Sequence, residues 1–192
     1  MGAKPLDEDG PVKVRTFFGL PLPEAHRSAL AGFLAECPKR APEFRWTPLE
    51  NLHFTVRFLG HVERAVATGI ADRLTERDMR SLELRLGDVG SFKRGRMARV
   101  VWLALRSGQE EIAALAARVE DECVRAGLEP ESRPYHAHLT LARARARDGA
   151  PPPKLPAPPG LDAWRADELV LYRSRPGRGG SVYEPLRRIR LS

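Results

Sequence analysis

Residues 53–60 read "HFTVRFLG" and residues 138–143 read "HLTLAR". Each stretch opens on His, skips one residue, places a Thr and continues as an apolar run of the length and β-branched or aromatic content that predicts a strand. Alternate strand residues share a face. His53 and Thr55 therefore project together, as do His138 and Thr140, while Phe54, Val56, Leu139 and Leu141 point the other way, toward a core.

Sliding the chain along itself by 85 positions (138 less 53) superimposes the two motifs. The same shift lays Phe17 on Trp102, Leu20 on Leu105, Leu30 on Leu115 and Leu34 on Val119. "VKVRTFFGL" (12–20) predicts a strand, "PLPEAHRSALAGFLAEC" (21–37) a helix with Leu30, Phe33, Leu34 and Cys37 on one face, and 53–60 the next strand. In the second half the order repeats, with strand 99–106, a helix over 108–127 carrying Ile112, Leu115, Val119 and Cys123, and strand 138–143. Between the halves a helix is expected over 64–77 and a strand over 81–92. After them come a Pro-rich surface connection (150–160) and strands near 167–173 and 182–191. Two related lobes facing each other are the reading favoured by the doubled motif. The apolar positions alone leave two unrelated units of similar length open.

The bulk properties bound the function. The 192 residues suffice for one ordinary domain, and 42% hydrophobic with 30% charged residues is a folding rather than a disordered composition. No apolar run approaches the ~18 residues of a membrane span. The start "MGAKPLDEDGPVKV" is too polar for a signal peptide, and Leu6 stands where a myristoylation signal needs Ser or Thr. A cytoplasmic location with no membrane partner is expected. Cys37 and Cys123 show no metal or redox spacing and are expected as buried thiols. A net charge of +7 and a pI near 10.0 make a polyanionic partner plausible.

If the lobes face each other, two imidazoles and two hydroxyls converge on one cleft. A neutral His can take a proton from water while a protonated one delivers a proton to a leaving oxygen. The hydroxyls can donate to the oxygens of a phosphoryl group, where charge accumulates. Neither a metal nor another cofactor is required. "HAH" (136–138) could supply two metal ligands, but no acidic residue in that segment completes a site, so no metal is expected.

The motif "HFTVRFLG" preceded by "WTPLENL" (46–52), together with "RPYHAHLTLAR" (133–143), resembles the two-histidine phosphoesterases, most closely the RNA 2′,3′-cyclic phosphodiesterases formerly called 2′-5′ RNA ligases. The likeness extends to "FFGLPLP" (17–23), "RVVWLAL" (99–105) and "ELVLYRSRPGRGGSVYEPLRRIRL" (168–191). It implies an α+β fold, a single bilobal domain over 1–192. In that fold, two pseudo-symmetric lobes with antiparallel sheets flank a central cleft and the helices lie outside. It implies His53 as general acid and His138 as general base, although the pseudo-symmetry would permit the reverse.

Thr55, Thr140 and Arg143 are then the expected phosphate-binding residues, and Arg143 reaches the cleft side only if its strand bulges. Tyr135 stacks on a base or packs, and Trp46 packs. Arg133, Arg145 and Arg147 flank the second motif, where they could hold the phosphates of a longer strand. His136 receives no role, and His26 and His61 are expected in solvent. The implied activity is metal-independent opening of 2′,3′-cyclic phosphates at RNA 3′ ends to 2′-phosphomonoesters, by a monomer. The alternatives are the same chemistry run backward as a 2′-5′ RNA ligase, or a non-catalytic RNA-binding module.

Overall fold

Aromatic and aliphatic residues fill Lys13–Pro21, and this stretch forms strand β1 of the computed structural model, which describes residues 12–177 and 180–192. The polar lead over 1–11 lies outside the described residues. Helix α1 (Glu24–Arg40) follows, burying Leu30, Phe33, Leu34 and Cys37 as their spacing predicts. Then come β2 (Phe44–Trp46), a 3₁₀ turn (Leu49–Asn51), β3 (His53–Glu63), α2 (Arg64–Thr75), β4 (Leu82–Arg94) and β5 (Met97–Ser107). Helix α3 (Gln109–Arg125) buries Ile112, Leu115, Val119 and Cys123, and β6 (Leu139–Ala144), β7 (Trp164–Ala166), β8 (Glu168–Gly177) and β9 (Gly180–Arg190) complete the chain. Three-residue β7 was not foreseen, being too short for alternation to register; it pairs with Leu82–Leu84. No described helix is long and apolar enough to cross a membrane.

Every strand pair is antiparallel, and the order is β7-β4-β5-β6-β3-β1-β8-β9, with β2 beside β6. The order reads outward from its centre as two matched halves, β6-β5-β4-β7 and β3-β1-β8-β9. They join at one residue pair, Phe54 opposite Leu139, both fully buried. The two expected sheets are thus the halves of one hydrogen-bonded path, hinged at that pair.

Each half carries the same irregularity. Gly19 lies opposite Thr55 and Phe18 opposite Arg57, which leaves Val56 as an extra residue in β3. Trp102 lies opposite Thr140 and Val101 opposite Ala142, which leaves Leu141 extra in β6. Val56 and Leu141 are again 85 apart (141 less 56). A bulge of this kind reverses the in–out alternation beyond it. It brings Phe58 to the face of Phe17 and Arg143 to the face of Val100 and Phe92.

Both cysteines are buried free thiols, their pKa values pushed up by burial to about 11 for Cys37 and about 12 for Cys123. Trp46 packs as expected, donating its Nε1–H to the Ala41 carbonyl at 3.1 Å. His61 is exposed. His26 departs from expectation: its ring packs against Trp164 and Nε2 bonds the Asp162 carbonyl at 3.1 Å, because the 161–166 segment folds back over α1.

Candidate active site

His53 begins β3 and His138 immediately precedes β6, so the central pair Phe54–Leu139 sets the two imidazoles on either side of the seam. Each ring is held the same way. His53 Nδ1 lies 2.7 Å from the Asn51 carbonyl and His138 Nδ1 lies 2.8 Å from the His136 carbonyl. A carbonyl only accepts, so Nδ1 carries the proton in both rings, and the lone pair of the neutral imidazole resides on Nε2. Thr55 Oγ1 lies 3.1 Å from His53 Nε2. Thr140 shares the strand face of His138 and sits opposite Trp102.

Aromatic rings fix both imidazoles. Phe17 stacks on His53 at 4.7 Å between centroids, Tyr183 meets it edge-on at 5.1 Å, and Tyr172 lies at 6.1 Å. Phe92 meets His138 edge-on at 4.8 Å, with Trp102 at 6.4 Å. Phe17 and Trp102 are the residues that the 85-residue shift superimposes, and each serves the His of its own half. Glycine makes both arrangements possible. A Cβ at Gly19 would crowd His53 Cδ2 at 3.2 Å, and one at Gly90 would overlap the indole of Trp102.

This setting weakens both imidazoles as bases. Burial pushes His53 down to about 4, against the opposing hydrogen bond of the Asn51 carbonyl, with further depression from the charges of His138 and Arg143. Burial likewise lowers His138, helped by His136 and Arg143. Arg143 thus acts on both histidines, from the cleft face to which the bulge at Leu141 turns it.

The remaining expected residues divide. Tyr135 donates its hydroxyl to the Thr55 carbonyl at 3.1 Å, tying the second motif to the first. Its ring lines a groove of about 580 Å³ shared with Phe92, Ala113, Ala117 and His138. Arg133, 84% exposed at its side chain, borders the same groove and pairs with Glu131 at 3.3 Å. Arg145 lies elsewhere, in a cavity with Arg15, Arg45 and His61. Among the described residues no group of three or more His, Cys, Asp or Glu could hold a metal.

The reading of motifs missed Asn51, Tyr172, Tyr183, Phe92, Arg15 and Arg45. Asn51 had a signal, since it stands two residues before His53 as His136 does before His138. The tyrosines had none, because they arrive from the far end of the chain.

A model of the 2′-5′ RNA ligase superfamily matches residues 27–178. An RNA 2′,3′-cyclic phosphodiesterase of Escherichia coli is 33% identical over 180 residues, covering 91% of this chain and 94% of that protein. One from Methanothermobacter thermautotrophicus is 30% identical over 94% of this chain and 100% of its own. Among solved structures, Escherichia coli LigT complexed with 3′-AMP superimposes with a TM-score of 0.80 at 28% identity, over 94% of this chain and 99% of LigT.

Proposed function

The chain belongs to the 2′-5′ RNA ligase superfamily, and from that premise we propose that it is a hydrolase opening 2′,3′-cyclic phosphates at RNA 3′ ends to 2′-phosphomonoesters. His138 Nε2 takes a proton from water as the water oxygen bonds to phosphorus. The bond from phosphorus to O3′ breaks, and O3′ receives the proton of His53 Nε2. One water is consumed, and exchange with solvent restores the two protonation states. Thr55, Thr140 and Arg143 donate to the non-bridging oxygens as charge gathers there. The two halves work as one bilobal unit over 1–192, as a monomer.

The observation that carries this reading is the mirrored pair of Nδ1–carbonyl bonds, which leaves proton transfer to the Nε2 atom of each ring, that of His53 beside Thr55 Oγ1. The substrate class is supported by the relatives named RNA 2′,3′-cyclic phosphodiesterase.

The test is an oligonucleotide with a 2′,3′-cyclic phosphate end, incubated with and without a second strand bearing a 5′-hydroxyl. Phosphorus NMR is expected to report a 2′-phosphomonoester in both cases, with activity retained in EDTA. A joined strand would favour the ligase direction, a 3′-phosphate would reverse the wall assigned to the acid, and unaltered substrate would leave only RNA binding.

A further inference from the structure

Resting on the phosphodiesterase reading above, we propose that the cavity lined by Arg15, Arg45 and Arg145 binds the phosphodiester backbone of a single-stranded RNA immediately 5′ of its cyclic end. A substrate whose 3′ end sits at the histidines can continue only on its 5′ side, so its next phosphates must leave the seam along some surface. Two grooves lie close by, one that includes Thr55 and His138 and one whose Arg45 is paired across the sheet with Arg143. The groove along α3 is lined by Ala113, Ala116 and Ala117 and by Glu120 and Glu131, whose charges Arg57 and Arg133 already balance, so it offers a phosphate chain no surplus positive charge. The other is a cavity of about 850 Å³ lined by three arginines, His61 and the small residues of the β8–β9 hairpin, with no acidic residue among the described residues of its wall.

The cavity is joined to the reacting centre at two points. Arg45 lies directly opposite Arg143 across the β2–β6 pair, so the two share a face. Asn51, whose carbonyl holds His53, donates its side-chain amide to the Ser181 carbonyl at 2.7 Å, and Ser181 forms part of the cavity wall.

Like charges placed opposite each other in a sheet destabilise it unless an anion stands between them. The described residues supply none. Among the described residues eleven ion pairs form, and none includes Arg15, Arg45, Arg143 or Arg145. Two of the guanidiniums are nevertheless aimed. Arg15 donates to Ser174 Oγ at 3.0 Å and lies over the Phe58 ring at 4.7 Å. Arg145 donates to the Pro42 carbonyl at 3.1 Å. Planar forks held in place and lacking a carboxylate suit phosphate oxygens.

The experiment compares uridine 2′,3′-cyclic phosphate with a decauridylate ending in the same group. Wild type is expected to favour the decamer in kcat/KM, and R45A/R145A to cut that preference by at least about tenfold. Its binding of the linear 2′-phosphate decamer should lose roughly 1.4 from the slope of log K against log salt, at ~0.7 per released phosphate contact on a single strand. R45K/R145K, which keeps the charges, should retain most of that slope. An unchanged preference, or equal losses on both substrates, would overturn the proposal. If wild type opened neither substrate yet bound the decamer with an Arg45-dependent slope, the catalytic reading would fall and the cavity assignment would stand.

Discussion

Burial holds the His53 imidazole down to about 4, and that single fact makes two measurable statements. In the unfolded chain the ring titrates near 6.5, so between 6.5 and about 4 the unfolded state binds a proton that the folded state refuses. Stability is therefore full above pH 6.5 and falls as the pH drops through that window, by about 3 kcal/mol in all. Denaturant titrations of H53Q should show this part of the acid loss removed; an identical pH dependence in both proteins would contradict it. Catalysis needs one ring protonated and one neutral. With both lowered, the kcat/KM maximum is expected on the acid side of the ordinary histidine range. A bound phosphodiester anion favours imidazolium, so the kcat maximum should lie at higher pH than that of kcat/KM. H53A and H138A should each lower turnover by ~10² to 10⁴, measured on folded protein. R143A should cost ~1.5–3 kcal/mol of transition-state binding, roughly ten- to a hundredfold in kcat/KM.

At the scale of elements, the paired bulges do most to shape the cleft. If Leu141 paired regularly instead of bulging, alternation would send Arg143 to the buried face of Leu139 and Leu141, where a guanidinium finds no partner. The bulge at Val56 sends Phe58 to the equivalent place, so the cleft has an arginine on one side and, 85 positions earlier, an aromatic ring that is 41% exposed. Pseudo-symmetry in the backbone thus coexists with asymmetry in charge. The strand β4 contributes through an absence. Gly90 lies opposite Trp102, whose indole covers it. G90V should displace that indole and with it the packing around His138, costing about 1–3 kcal/mol in denaturant stability. A variant of wild-type stability and turnover would show that the indole is free to move.

At the scale of the whole molecule, the halves share one hydrophobic core and are tied by polar contacts besides the Phe54–Leu139 pair. Tyr135 reaches across to Thr55, Arg57 pairs with Glu120 of α3, and Glu122 of α3, 2% exposed, gathers Arg73 of α2 at 3.1 Å, Arg77 at 2.5 Å and Arg125 at 2.7 Å. A buried carboxylate with three guanidiniums ties α2 to α3, and so one half to the other. E122Q keeps the shape and loses the charge. It should lower the denaturation midpoint by an amount worth about 1.5–3 kcal/mol while leaving the m-value unchanged. A changed m-value would mean instead that the halves had begun to unfold separately.

By itself the sequence determined the longer strands, the helices and their core faces, because hydrophobic periodicity is local and each element of sufficient length records its own buried side. It also determined the repeat of His-x-Thr and, through the family likeness, the class of chemistry. Only the tertiary structure decided the rest. Whether Arg143 faces the cleft depends on one unpaired residue, which alternation cannot announce. The ring stack on His53 joins Phe17 to Tyr172 and Tyr183, more than 150 positions away, and no local pattern links residues that far apart. The basic cavity is likewise assembled from β1, β2, β3, the residue after β6 and the β8–β9 hairpin, and its arginines look in sequence like any solvated charge. They become a group because strands that are distant in the chain are neighbours in the sheet, and side-chain charge acts through space.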